Sequence, residues 1–371
     1  MFEINNIYNM DCLKGLKLMP DNSIDCCVTS PPYYALRDYG IKSTLWPTTK
    51  YFPMTGVPYE IGIPEWNGSL GLEPTIEMFI AHIVLIFREV KRVLKDDGTL
   101  WLNFGDSFVG TGGNRKHDVK NELFQEQQSH NPGEGRYERN KQAKKSGLKV
   151  KDLMGIPWRA ALALQADGWY LRSDIIWNKS NPMPESVLDR PTKAHEYIFL
   201  LSKQSKYYYD AESIKEPITE STFQRISQNT ENQDGSKRAN GGNKTNGTMK
   251  AVISKQFSHD MAAGAYNIDM RKHFNKSGQP YITKNKRTVW TVATSQFKEA
   301  HFATFPGKLI EPCILAGCPK GGLVLDPFMG SGTTAAKAVE LQRNYIGFEI
   351  NPEYIKMAEE FRLNEVQIKM A

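Results

Sequence analysis

The sequence predicts an α/β fold: a mainly parallel sheet with helices on both faces, interrupted by a polar, basic insertion. Three observations carry that expectation. Short apolar runs of strand length alternate with longer segments of helical spacing. The composition, 40% hydrophobic and 24% charged over 371 residues, is that of an ordinary globular chain with enough length for a large core. The basic excess is uneven: 203–288 holds 15 Lys and Arg against 8 Asp and Glu, whereas the whole chain carries a net +6.

Taken in order, 24–29 (Ile-Asp-Cys-Cys-Val-Thr) forms a short buried strand. Ile76, Phe79, Ile80, Ile83, Phe87 and Val90 recur at helical spacing, so 74–93 is a helix, stopped by Lys95-Asp96-Asp97-Gly98. The run 99–104 is the next strand. Between 105 and 149 the chain is polar and lacks periodicity, which predicts a long mobile loop over about 106–150. A helix over 156–166 ends at Asp167-Gly168, and strands at 169–177 and 196–201 are joined by a Pro-rich turn. After the basic segment come a helix (309–315), a strand (322–325), a helix (333–341), a strand (345–348) and a helix (352–361).

No stretch approaches the eighteen or so apolar residues of a membrane span. The start, Met1-Phe2-Glu3-Ile4-Asn5, lacks the basic and apolar regions of a signal peptide. Five cysteines form no C-x-x-C pair, which argues for a reducing cytoplasm and against a disulfide framework or a zinc site. His195-Glu196 suggests a catalytic pair or metal ligands, but it opens no H-E-x-x-H spacing and is read as ending a loop and orienting the next strand, so no metal is expected. Pro312-Cys313 falls inside an expected helix and is read as a buried structural cysteine.

Two motifs carry chemistry. Thr29-Ser30-Pro31-Pro32-Tyr33 ends the first strand in a stiff corner that can continue neither as a ladder nor directly as a helix. The Ser30 hydroxyl and the Pro31 carbonyl can accept the N–H bonds of a flat amine, and Tyr33 offers a ring to stack on it. Ser-Pro-Pro is equally an ordinary loop signal. In the second motif, Asp326-Pro327-Phe328-Met329-Gly330-Ser331-Gly332-Thr333, the residues Gly330, Gly332 and Ala335 satisfy G-x-G-x-x-A between a strand and a helix. Glu349 ends the following strand, where an acid can bond ribose hydroxyls. Asp326 ahead of the glycines would repel pyrophosphate and attract an ammonium, unless it serves as a helix cap. Thr333 stands where a phosphate-binding loop needs Lys. S-adenosylmethionine fits these charges better than a dinucleotide or ATP. Phe328 would then pack on its adenosine, and Gly330, Gly332 and Thr333 would let the backbone approach it.

With both motifs in this order, the chain resembles the β-class DNA amino-methyltransferases. Leu171 to Lys179, Arg190-Pro191-Thr192-Lys193-Ala194-His195-Glu196 and His301-Phe302-Ala303-Thr304-Phe305-Pro306 extend the resemblance over nearly the whole chain. It implies a Rossmann-like, S-adenosylmethionine-dependent methyltransferase sheet in a catalytic and cofactor-binding domain, 1–202 with 289–371, and a target-recognition region at 203–288. By itself that basic segment also suits a solvated or disordered insertion. The family implies Asp11 and Cys12 near the adenine and Thr304 and Phe305 near the methionyl end. It implies base flipping, transfer to an exocyclic amine of double-stranded DNA, S-adenosylhomocysteine as product, a prokaryotic or phage-encoded cytoplasmic enzyme of the restriction-modification kind, and a homodimer. Ser30 at the head of the Ser-Pro-Pro-Tyr motif, together with the Trp177-Asn178-Lys179 and Arg190-Pro191-Thr192 stretches, resembles the cytosine-N4 branch. Adenine-N6 transfer is the alternative, and a catalytically inactive DNA-binding specificity partner is the rival from another class.

Overall fold

The structure is a computed structural model that describes residues 2–34, 43–109, 146–219, 221, 283–294 and 305–366. The chain divides into two compact units, Met1–Ser213 with Arg287–Ala371, and Ile214–Lys286.

In chain order the first unit contains β1 (Asn6–Asn9), α1 (Cys12–Leu18), β2 (Ile24–Thr29), the short strands β3 (Thr44–Trp46), β4 (Thr49–Tyr51), β5 (Ile61–Ile63) and β6 (Trp66–Gly68), then α2 (Ile76–Val93), β7 (Leu94–Phe104), α3 (Ile156–Ala166), β8 (Tyr170–Asn178) and β9 (His195–Ser202). The described part of the second unit holds the antiparallel pair β10 (Glu216–Pro217) and β11 (Thr283–Lys284), with Lys286 on Glu216 at 2.8 Å. The first unit resumes with β12 (Val289–Thr291), α4 (Gly307–Gly317), β13 (Leu323–Asp326), α5 (Thr333–Glu340), β14 (Asn344–Glu349) and α6 (Pro352–Met357).

Eight strands form one sheet in the order β1-β14-β13-β2-β7-β9-β8-β12. Seven run the same way; β9 alone opposes its neighbours β7 and β8. The sheet is thus the mainly parallel one expected, and helices cover both faces. The period of two along β7 sorts them: Leu100, Leu102 and Phe104 enter the core shared with α1, α2 and α3, whereas Thr99 turns the other way and donates to the Gly317 carbonyl of α4. On that second face α4 packs with α5.

Local chemistry explains α2. Thr75 caps it by accepting from the Met78 amide, Glu77 stands in its first turn, and Lys91 and Arg92 close its last. Phe79, Ile83, Val84, Ile86, Phe87 and Val90 have no exposed surface, which fits the apolar stripe read from spacing.

Several expectations need correction. Lys95 to Gly98 do not form a turn between helix and strand. They lie inside β7, where the register with β2 jumps from Ile24–Leu94 to Cys26–Thr99 and a bulge takes up the extra residues. The last helix ends at Met357 and widens into a π-helical segment, Ala358–Leu363. β1, β3 to β6 and β12, three or four residues long, and α1, seven residues long, are too short to show a clear period in the sequence. The expected mobile loop and basic segment fall largely on 110–145 and 222–282, outside the described residues.

Candidate functional site

β13 and β2 lie side by side, yet the chain leaves them in opposite directions across the sheet, β13 toward β14 and β2 toward β7. Such a switch point opens a crevice at the carboxyl ends of the strands. Both sequence motifs end there. The Thr29 hydroxyl donates to Asp326 Oδ1 at 2.6 Å, joining residues 297 positions apart. Thr29 is 1% exposed, so the first residue of its motif faces the core and Ser30 is the first to face outward.

Asp326 is itself 1% exposed. Its Oδ1 also accepts from the Phe328 amide at 3.0 Å, and its Oδ2 accepts from the Thr334 hydroxyl at 2.6 Å. Burial pushes its carboxyl up to about 6, against those three hydrogen bonds, which pull it down. The sequence reading aims this acid at a ligand ammonium; in the structure its carboxylate also links strand end, loop and helix.

Glu349 behaves alike. Its Oε2 accepts from the Gly330 amide at 2.9 Å and its Oε1 from the Asn351 amide at 2.8 Å, and burial raises its carboxyl. The half-buried Asp11 caps α1 through the Lys14 amide at 3.0 Å and accepts from the Thr44 hydroxyl at 3.3 Å. Cys12 is buried, and burial pushes its thiol up. Because Asn9 pairs with Glu349, the ends of β1, β14, β13 and β2 set Asp11, Glu349, Asp326 and Ser30 in one row. Three strand spacings make that row about 15 Å long. Phe305 is half-buried ahead of α4, and Thr304 lies outside the described residues.

The glycine loop is tight at one glycine and open at the other. Gly330 and Gly332 take positive φ of 53° and 80°. A Cβ on Gly332 would meet the Ala358 Cβ at 2.6 Å, so that glycine serves packing. At Gly330 the nearest atom would be 3.9 Å away, which leaves an open cradle. Beside it, the buried Ser331 Oγ has no hydrogen-bond partner. Pro327 and Thr333 are buried and Phe328 is half-buried. An open glycine, an orphaned hydroxyl and flanking acids suit a polar cationic cofactor such as S-adenosylmethionine.

On the other side of Ser30 stands a second network. The Tyr33 hydroxyl donates to Glu196 Oε2 at 2.7 Å and lies 3.2 Å from Asn103 Oδ1, while Ser30 Oγ reaches the Tyr33 oxygen at 3.5 Å. Lys179 pairs with Glu196 Oε1 at 2.5 Å and sits over the Trp177 ring. Burial pushes the Tyr33 phenol well up, and the Glu196 carboxylate adds to the rise. A Cβ on Gly105 would come within 2.5 Å of the Tyr33 ring, so only glycine lets the ring sit there. A small cavity opens beside it, lined by Tyr33, Tyr34, Gly105, Asp106, Ser107 and Ile156. Pro31 is buried and Pro32 half-buried.

The sequence of the DNA methylase family (N6_N4_Mtase) matches residues 24–360. The chain belongs to the DNA methylase family. Members of this family draw their methyl group from S-adenosylmethionine. Among relatives, this methylase is 39% identical over 353 residues to the type II methyltransferase M.Cfr9I of Citrobacter freundii, covering 95% of this chain and 85% of the relative. It is 39% identical over 351 residues to M.SmaI of Serratia marcescens, covering 94% and 88%. Its fold is similar to that of the PvuII cytosine-N4-specific DNA methyltransferase, with a TM-score of 0.50, 16% identity, and 98% and 90% of the two chains covered.

Lys179 and Asn103 of this methylase are not singled out by sequence reasoning, and Glu196 enters it only beside His195, as a pair without metal-binding spacing. Lys179 and Glu196 sit in stretches that carried the family resemblance, but their pairing depends on the β8–β9 hairpin closing 17 residues. Cys313 is fully buried within α4. Among the described residues, no cluster of His, Cys, Asp and Glu could hold a metal ion, and no helix is long and apolar enough to cross a membrane.

Proposed function

We propose that this methylase transfers a methyl group from S-adenosylmethionine to the exocyclic N4 amine of a cytosine flipped out of double-stranded DNA. The observation that carries this reading is the 2.6 Å bond from Thr29 to Asp326, which sets Ser30 beside the cradle of the glycine loop. The bound cofactor supplies an electrophilic methyl on a sulfonium centre. The protein's own residues do the rest by positioning. Gly330, Gly332 and Thr333 with Pro327 and Phe328 shape the donor side, and Asp11, Cys12, Thr304, Phe305 and Glu349 flank it. Asp326 fixes that loop, and its buried negative charge favours the donor's ammonium through the field.

An exocyclic amine conjugated with its ring is a poor nucleophile. The Ser30 hydroxyl and the Pro31 carbonyl accept its two N–H bonds and favour a more tetrahedral nitrogen, with Pro32 keeping the corner stiff and the Tyr33 ring against the base. Base pairing hides this amine in a duplex, so the base must leave the stack. The basic segment 203–288 is assigned to target recognition, where Lys and Arg meet phosphates.

Ser30 favours cytosine over adenine-N6. Methylated duplex DNA digested to nucleosides and analysed by mass spectrometry should contain N4-methylcytosine. N6-methyladenine without N4-methylcytosine would overturn the choice of base, and no label in DNA would favour an inactive specificity partner.

A further inference from the structure

Transfer to an amine leaves a proton to be removed. The nitrogen forms its bond to the methyl carbon with its lone pair, the sulfur keeps the electrons of the broken C–S bond, and the nitrogen becomes a cation with two N–H bonds. One N–H bond must then return its electron pair to nitrogen. Ser30 alone is a poor base, since its hydroxyl cannot hold a second proton at neutral pH.

We propose that Glu196 is the terminal proton acceptor of a relay running from the amine through the Ser30 and Tyr33 hydroxyls. The proposal rests on the amine-methylation reading above. The oxygens are spaced for it: Ser30 Oγ stands 3.5 Å from the Tyr33 oxygen, and Tyr33 Oη stands nearer to Glu196 Oε2, at 2.7 Å, than to Asn103 Oδ1, at 3.2 Å. As Ser30 Oγ takes the amine proton, its own proton passes to Tyr33, and the Tyr33 proton passes to the Glu196 carboxylate. Each hydroxyl gains one proton and loses one, so neither becomes charged. The raised phenol of Tyr33 suits this, because it can act only as a conduit and never as a free phenolate.

The acceptor is built to stay in place. Asn103, 4% exposed, donates to Glu196 Oε2 at 3.4 Å and to the Tyr197 carbonyl at 3.0 Å, and Lys179 holds the other carboxylate oxygen. A carboxylate suffices as acceptor, because a ring-conjugated ammonium is a far stronger acid than a carboxylic acid. The 3.5 Å link is long, as catalytic hydrogen bonds are before substrate draws them together. The Glu196 side chain is 14% exposed, so it can return its proton to water. Other charges facing it are Lys193 and His195, just before it in the chain, and Asp106, after β7.

Glu196 acts through two other residues, so the test must separate proton transfer from support. Single-turnover methylation of a duplex oligonucleotide is measured against pH for wild type, Glu196→Gln and Tyr33→Phe, with donor and DNA affinities from calorimetry. The relay requires about a 10²-fold slower transfer in both variants, with affinities within about threefold of wild type. It also requires that the double variant be no slower than the worse single one. The wild-type rate should climb with pH as one carboxyl ionises and then level off, and Glu196→Gln should lose that climb. Variants within threefold of the wild-type rate, an unchanged profile in Glu196→Gln, or losses of affinity that match the loss of rate would each overturn the relay. A wild-type protein that labels no DNA would instead overturn the function on which it rests; active wild type with indifferent variants overturns the relay alone.

Discussion

The two sides of Ser30 are built differently. Toward β13, β14 and β1 the acids look inward: Asp326 and Glu349 accept from backbone amides and hydroxyls and fix the shape of a loop. Toward β7, β8 and β9 the polar groups meet side chain to side chain, with Tyr33, Asn103, Glu196 and Lys179 bonded in one network. A backbone cradle held by buried acids governs whether a ligand fits. A network of aligned donors governs what happens to a proton. Changes on the first side should therefore act on binding and stability, and changes on the second on rate.

The largest expected effect lies at the junction. Ser30→Ala removes one acceptor of the amine, so the single-turnover rate should fall about 10²- to 10³-fold while calorimetry shows unchanged donor affinity. Equal losses of rate and donor affinity would place Ser30 on the cradle side.

A smaller effect tests the buried acid. Asp326 keeps its proton to about pH 6 in the folded protein, against 3.8 for an ordinary Asp. The folded state therefore binds more protons between those values, and stability from this group falls as pH rises through the window. The full cost above pH 6 is on the order of 3 kcal/mol. Asp326→Asn removes the titration, so the stability of wild type relative to this variant should drop between pH 4 and pH 7 in urea unfolding. An equal difference at both pH values would mean that the carboxylate is not held in a low-dielectric site.

The smallest difference is the one that divides the two glycines from each other. Both take positive φ, which costs alanine roughly 1–2 kcal/mol. Gly332→Ala also drives a Cβ into Ala358, adding about 1–3 kcal/mol, whereas Gly330→Ala enters open space. Gly332→Ala should thus be the less stable variant, and Gly330→Ala the one with the greater loss of donor affinity per unit of stability lost. Urea unfolding and calorimetry check both halves, and the reverse ranking would break the assignment of Gly330 to the cradle.

Residues whose neighbours are close in the chain were legible. The stripe of α2, the strand 24–29, and the strand–loop–helix around Gly330 follow from periodicity and from the conformations open to Pro and Gly. Lys95 to Gly98 suit a turn and a bulge equally, and only pairing with β2 favours the bulge. Asp326 shows the other limit. Its type and position at a strand end were plain, but its partners Thr29 and Thr334 were not.

By itself, the sequence determined a mainly parallel α/β chain, a Ser-Pro-Pro-Tyr corner, and a glycine loop preceded by an acid. Those are local facts, set by backbone sterics and side-chain spacing. Tertiary structure alone decided that the two motifs share one crevice, because strand order places β13 against β2. It alone decided that Asp326 ties strand end, loop and helix together, because three donors from those elements meet at its buried carboxylate. And it alone gave Glu196 its partners, because only folding brings the Tyr33 hydroxyl within reach of that carboxylate.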